Sequence, residues 1–306
     1  MKTRNLPSST LFPVRVTMHK GIFLGLATAD IVYYVAHHLR NNEKLKAERQ
    51  LAYAGGPATN AAVAFATFDN EATLITGLGQ HPLAHVAKHD ILEHKVSLID
   101  ATEQPKRSPV LASILVDLAT GDRAVVYSNT DRRKLRHDAI NETTLEYADL
   151  LMLDGYYLPQ AIQLATWAQQ TGVPVILDGG SWKDDLERLL PLVDYAICSD
   201  NFMPPACTQQ AEVFSTLRRF GVEHIAITRG GEPVLALSDG EIVEVPVMPV
   251  QPVDTLGAGD IFHGAFCHYI MERNDFLIAL ERAGEVASLS CTSLGTRAWI
   301  EQAKFA

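Results

Sequence analysis

Cysteine is scarce in this chain: Cys198, Cys207, Cys267 and Cys291 are the only four in 306 residues, with no Cys-x-x-Cys pair and no nearby histidine at metal-ligand spacing. That excludes a disulfide scaffold and a zinc-ribbon type of site, and the thiols are read as reduced and mostly packed. Basic charge is short as well, since 26 Lys and Arg stand against 36 Asp and Glu, giving a net charge of −10 and a pI near 5.5. The sequence-independent attraction to nucleic-acid phosphates or anionic lipid that basic proteins use is therefore disfavoured. Also missing is any uncharged apolar stretch of the roughly 18 residues a membrane span needs, so no transmembrane helix is expected. The one segment that mimics a secretion signal, Lys20 followed by residues 21–29, runs directly into Asp30 and another apolar run, and reads better as a buried first strand.

Two familiar phosphate-binding signatures are absent. No Gly-Lys is followed by Ser or Thr, so there is no P-loop, and Gly77-Leu78-Gly79-Gln80-His81-Pro82 places a proline where a dinucleotide fingerprint needs its third glycine. His81, His85 and His89, with His94 beyond, lie four apart and line one helical face; a solvated face is the reading preferred over a zinc site.

What is present is a large apolar complement, 47% of residues, enough for a sizeable core and consistent with a globular cytosolic, hence cytoplasmic, protein. Residues 1–20 show no clear period and read as an N-terminal extension. From residue 21 to 306, short apolar runs alternate with helical patterns. The runs are 22–26, 72–75, 150–153, 173–177, 195–197 and 224–228; the helical patterns are 60–68, 83–94, 160–171, 186–190, 212–220, 261–272 and 277–292. This βαβα order predicts an α/β fold with a mostly parallel central sheet and helices on both faces. Segments of about 31–53 and 108–128 carry strand-like residues with no following helix, the latter around the turn Ala119-Thr120-Gly121-Asp122, and read as a small β-lid.

The most informative motif is Asp254-Thr255-Leu256-Gly257-Ala258-Gly259-Asp260, which opens onto the apolar helical stretch Ile261–Phe266. Backbone N–H groups of Gly257, Ala258 and Gly259 can converge on a phosphoryl oxygen while Asp260 takes a proton. Far upstream stands Ala54-Gly55-Gly56-Pro57-Ala58-Thr59-Asn60, with Gly79 nineteen residues on. Together the two motifs resemble those of the ribokinase-like (PfkB-type) carbohydrate kinases, over roughly residues 21–298. One departure is Asp69, where that family usually has Gly or Ser. Another is the segment Cys198–Pro205, which lacks the glutamate of an Asn-x-x-Glu element that many members place near Mg²⁺. Tyr33-Tyr34-Val35, Gly121-Asp122-Arg123 and residues 253–257 lean toward the ketohexokinase-like and sulfofructose-kinase-like branches.

The resemblance implies that residues 21–306 form an ATP-dependent kinase domain that phosphorylates a hydroxymethyl group on a small sugar or sugar derivative. Asp260 would be the catalytic base and the 257–259 amides, with the helix dipole, an anion hole. Asp30, Gly55, Gly56 and Asn60 would hold the sugar, as carboxylate, amide and close backbone suit vicinal hydroxyls, and Arg123 on the lid would meet an anionic substrate group or a phosphate. Thr228, Gly230 and the small residues around Gly284 would face the nucleotide. Mg²⁺ would arrive with ATP, Asp254 would chiefly shape its turn, and K⁺ dependence is left open. Dimerisation through the lid is implied by resemblance only. Two other readings stand beside this one: a nucleoside kinase of the same fold, and a non-catalytic sugar or nucleotide sensor.

Overall fold

The computed structural model describes residues 18–128 and 134–303; most of the expected N-terminal extension, residues 1–17, lies outside them. The apolar runs become strands, here numbered in chain order: β1 (Lys20–Leu24), β2 (Thr28–Val35), β3 (Arg49–Gly55), β4 (Glu71–Thr76), β5 (Val96–Asp100), β6 (Val110–Asp117), β7 (Arg123–Tyr127), β8 (Leu150–Leu153), β9 (Val175–Gly179), β10 (Tyr195–Ser199), β11 (His224–Arg229), β12 (Glu232–Ser238) and β13 (Glu241–Val245). The helices are α1 (Pro57–Ala66), α2 (Ala84–Glu93), α3 (Leu158–Thr171), α4 (Gln210–Arg219), α5 (Ala258–Arg273), α6 (Phe276–Ser290) and α7 (Trp299–Ala303).

Nine strands form one sheet in the order β13-β12-β11-β10-β9-β8-β1-β4-β5. All neighbours from β11 to β5 pair in parallel, and only the β11–β12 and β12–β13 pairings are antiparallel. The parallel strands are continuous apolar runs because helices cover both sides. Leu150 and Met152 of β8 face a core built with α1, α2, α5, α6 and α7, whereas Leu151 and Leu153 face one built with α3 and α4. No helix among the described residues is long and apolar enough to cross a membrane.

The expected β-lid is a separate four-stranded sheet, β3-β2-β6-β7. One of its faces is apolar: Val32, Tyr34, Tyr53, Ala112, Ile114 and Val116 pack with Leu256 and Leu294 from the main body, so the lid lies directly on the Asp254–Asp260 turn.

Three local readings change. β12 and β13 extend the βαβα pattern with a hairpin whose turn residues Asp239 and Gly240 both take positive φ, 51° and 85°, as a two-residue type I′ turn requires. Residues 186–190 form no α-helix but two 3₁₀ turns, Leu186–Arg188 and Leu190–Leu192, because Pro191 has no N–H to continue the ladder. Asp30, just ahead of the expected lid segment, is the third residue of lid strand β2. The departure at Asp69 has a backbone reason, since that residue adopts φ 58°, a left-handed conformation that Asp tolerates better than most. His81 precedes α2, and His85 and His89 are exposed on it.

α1 and α5 touch backbone to backbone. A Cβ on Gly264 would fall 2.2 Å from the Ala61 carbonyl oxygen and 2.6 Å from the Ala64 methyl, so only glycine permits this approach.

Candidate active site

In an open parallel sheet, ligands bind beyond the carboxyl ends of the strands where the strand order reverses. Here that point lies at β1, which pairs with β4 on one side and β8 on the other. The turn after β1, Gly25-Leu26, meets Asp154 from the end of β8. The Asp154 carboxylate occupies the space a Gly25 side chain would need, and it accepts N–H bonds from Leu26 (2.8 Å), Tyr156 (3.0 Å) and Ala58 (3.3 Å) in the first turn of α1. Burial raises its pKa to about 6, offset in part by the nearby Lys183 charge and the amide bonds. Two surface cavities of about 340 and 440 Å³ lie at the opposite, amino-terminal end of the sheet, around Gly221 and Glu223.

Gly56, at φ 101°, precedes α1 where a Cβ would fall 2.2 Å from the Leu26 carbonyl oxygen, and Pro57 takes the first helical position, where its missing N–H costs nothing. Gly55 faces the Asp30 carboxylate so closely that a Cβ would overlap Oδ2. Thr28, two residues before Asp30 on the same face of β2, donates its hydroxyl to Asp30 Oδ1. Burial raises the Asp30 pKa to about 6, opposed by the Thr28 bond and by the charge of Arg297.

Asn60, one turn into α1, donates from Nδ2 to Asp260 Oδ2 at 2.7 Å across 200 residues of sequence. Thus Asp30, Gly55, Gly56, Asn60 and Asp260 are brought together. Gly257, the residue before α5, takes φ 71°, and a Cβ there would fall 2.6 Å from the Thr296 methyl group and 3.4 Å from Asn60 Nδ2. The Ala258 N–H closes the turn onto Thr255 O at a long 3.3 Å, whereas the amides of Gly257, Gly259 and Asp260 find no acceptor among the described residues. Nothing lies within 4 Å of a Cβ built on Gly259, so the backbone there opens to space. Burial, then the negative charge of Asp178, push the half-buried Asp260 carboxyl up from the ordinary carboxylate range; the Asn60 bond and the charge of His263 oppose this.

Below this turn, His263 Nδ1 lies 2.7 Å from Gly259 O and Nε2 lies 3.1 Å from Ile197 O, with Asp178 Oδ2 3.5 Å from Nδ1. Both ring nitrogens thus face carbonyl oxygens, which only accept. Asp254 is engaged on both carboxylate oxygens: Oδ1 accepts from Leu256 N (2.9 Å), and Oδ2 accepts from Gly295 N (2.9 Å) and the lid's Tyr34 hydroxyl (2.5 Å). Its structural role is plain from these bonds.

Arg123 lies on lid strand β7, and its Nη1 donates to Thr255 Oγ1 at 3.3 Å, which sets it beside the Asp254–Asp260 turn. Thr228, the last residue but one of β11, donates its hydroxyl to Cys198 O (3.3 Å), and Gly230 (φ 62°) and Gly231 form an uncrowded turn beyond the strand. Gly284 is buried in the α5–α6 packing, with a built Cβ 3.9 Å from the Phe262 ring. Ala287, one turn on, is half-buried. Sequence reasoning missed Asp154, Asp178, His263, Arg297 and Asp90. For the first two a signal existed, an Asp closing each of two apolar strands at the functional end of the sheet.

Comparison with known proteins agrees with this geometry. Residues 18–303 match the pfkB family carbohydrate kinase domain. Fructosamine kinase FrlD of Bacillus subtilis is 27% identical over 260 residues, covering 81% of this chain and 87% of that protein. A putative ribokinase from Agrobacterium tumefaciens superposes with a TM-score of 0.83 at 24% identity, over 95% of this chain and all of that one. A putative ribokinase II from E. coli, in complex with ATP and Mg²⁺, gives 0.73 at 16% identity, over 94% and 98%. The crevice, the two glycine turns and the match along nearly the whole chain have one outcome: the protein belongs to the pfkB family of carbohydrate kinases.

Proposed function

We propose that this kinase transfers the γ-phosphoryl group of ATP to a primary hydroxyl of a small sugar or sugar derivative, with Asp260 as general base. The observation that carries the reading is the Asp260 carboxylate itself. It sits at the amino-terminal end of α5, held through Oδ2 by Asn60, beside the Gly257 and Gly259 amides, which find no acceptor among the described residues. The acceptor oxygen attacks the γ-phosphorus as its proton passes to Asp260, and the bond to the β–γ bridging oxygen breaks to release ADP. The amides of Gly257 and Gly259, aided by the α5 dipole, face the charge on the transferring group, while Ala258 shapes the turn.

Asp30, with Gly55 and Gly56, binds the acceptor hydroxyls. Arg123 beside Thr255 suits the phosphates better than a group on the sugar. Thr228 and Gly230 serve the nucleotide. Mg²⁺ enters as part of the nucleotide substrate. The lid's apolar face over the turn excludes water, which limits ATP hydrolysis.

The test is Asp260→Asn, assayed for ADP release across a panel of ketoses, pentoses, sugar acids and nucleosides. The variant should fold and bind both substrates while kcat falls about 10²–10⁴-fold. Turnover close to that of the unaltered enzyme would remove Asp260 from the chemistry. Adenosine outperforming every sugar would replace the acceptor class.

A further inference from the structure

Asn60 is a primary amide, and nothing in its own shape decides which end faces Asp260. The decision is made by Arg297, in the loop between α6 and α7. Its guanidinium is largely buried, and each of its five N–H donors has an acceptor. Nε and Nη2 both reach Asp90 Oδ2 (3.2 and 2.9 Å), Nη2 also reaches Ala54 O (2.8 Å), and Nη1 reaches Asn60 Oδ1 (2.8 Å) and Thr296 Oγ1 (2.9 Å). Arginine cannot accept a hydrogen bond, so the Asn60 carbonyl must face it and the NH₂ must face Asp260. Asp90, on α2, holds the guanidinium in place and also accepts the Ala54 N–H at 3.1 Å. A continuous chain, Asp90–Arg297–Asn60–Asp260, thereby links α2, the α6–α7 loop, α1 and α5 over sequence separations of 207, 237 and 200 residues.

We infer that Arg297, anchored by Asp90, is a positioning residue for phosphoryl transfer: it fixes the Asn60 amide so that Asn60 donates to Asp260 Oδ2 and leaves Oδ1 turned to the acceptor hydroxyl. The inference rests on the reading of Asp260 as the base. No donor among the described residues takes up Oδ1, which fits an oxygen kept for substrate. Arg297 touches no reacting atom; it acts through Asn60. Lysine cannot substitute, because a single ammonium lacks the planar fork that reaches Asp90, Ala54 and Asn60 together.

A double-mutant cycle separates this role from a purely structural one. Arg297→Lys and Asn60→Ala, alone and combined, are measured for kcat, for KM of both substrates, for the pH profile of kcat and for Tm. Arg297→Lys should lower kcat by about 10²-fold, the cost of a displaced catalytic group, with the KM for ATP nearly unchanged. The double variant should be no slower than Asn60→Ala alone. In both single variants the acid limb of the kcat profile should move to higher pH, because the Asn60 donor that favours ionised Asp260 is lost or misaligned. Additive losses, an unmoved acid limb or an unchanged kcat would each overturn the assignment. If Arg297→Lys does not fold, Asp90→Asn replaces it in the cycle, keeping Arg297 but removing the charge that anchors it, and the same outcomes decide. Asp260→Asn runs alongside. Near-normal turnover there sinks the base reading, while a large loss there with additive Arg297 and Asn60 effects sinks only the relay.

Discussion

The acceptor half of the crevice and the nucleotide half are built differently. On the proposed acceptor side the functional side chains are held by side-chain and amide bonds: Asp30 by Thr28 on its own strand, Asn60 by Asp260 and Arg297 from other elements, Asp154 by amides of three segments. On the proposed nucleotide side more of the surface is backbone, with Thr228 and the lid's Arg123 as side-chain donors and Gly230-Gly231 open beyond Thr228. Direct transfer needs the attacking oxygen placed to within a fraction of an ångström, and rigid side-chain networks supply that. A nucleotide presents many polar atoms to a broad surface, so amides at turns and helix ends suffice.

Substitutions can break this contrast. The largest effect after Asp260→Asn is expected from Asp30→Asn, which should reduce kcat/KM for the sugar about 10–100-fold, the scale of a lost charged hydrogen bond, with little change in KM for ATP. The same substitution should raise Tm, and the pH dependence gives it a signature. Because the folded-state pKa of Asp30 is raised to about 6, the native state holds its proton more tightly than the unfolded chain. The resulting stabilisation is complete below the ordinary value near 4 and is lost as pH rises through about 6. Asp30→Asn should therefore stabilise most at pH 7–8 and little at pH 4, measured by thermal melts. A Tm gain that does not grow with pH would show that this carboxylate is not under strain from burial.

Next come the two glycines of the turn. Gly257→Ala forces a methyl against Thr296 at positive φ and should lower Tm by about 2–6 °C together with kcat. Gly259→Ala meets nothing and sits in the first turn of a helix, so Tm should hold or rise slightly while kcat drops about 10-fold as the methyl crowds the amides. Equal Tm losses would mean the turn is packed and not open. Smallest is Thr228→Ala, expected to raise KM for ATP about 2–10-fold and leave the sugar KM alone. A change in the sugar KM instead would erase the division of labour between the halves.

The legible part of this protein was whatever the chain writes locally. Gly55-Gly56 and the run from Asp254 to Asp260 are contiguous, and Gly55, Gly56 and Gly257 stand where a close approach or a positive φ leaves no room for a side chain, so composition and spacing expose them. Uninterrupted apolar runs such as Leu150–Leu153 announce buried parallel strands for the same reason. β12 and β13 were harder, since Pro233 and alternating exposure disguise an edge hairpin, although Asp239-Gly240 carried its turn signal. Arg297 had no signal at all. It is a single arginine in a Ser- and Thr-rich loop, and its partners Asp90 and Asn60 come within reach only after α2, α1 and the α6–α7 loop have packed. Arg123 shows the converse: its lid strand was legible, but only the fold brings it to Thr255 rather than to Asp30.

The contact at Gly264 reaches further than packing. It lies one helical turn beyond Asp260, against the carbonyl of the residue that follows Asn60, so the spacing between the two helices fixes how far apart the proposed base and its amide partner can be. Any side chain there would act as a wedge, prising the helices open at the very place where a 2.7 Å bond must hold. A position that never meets either substrate thus has the power to switch the enzyme off.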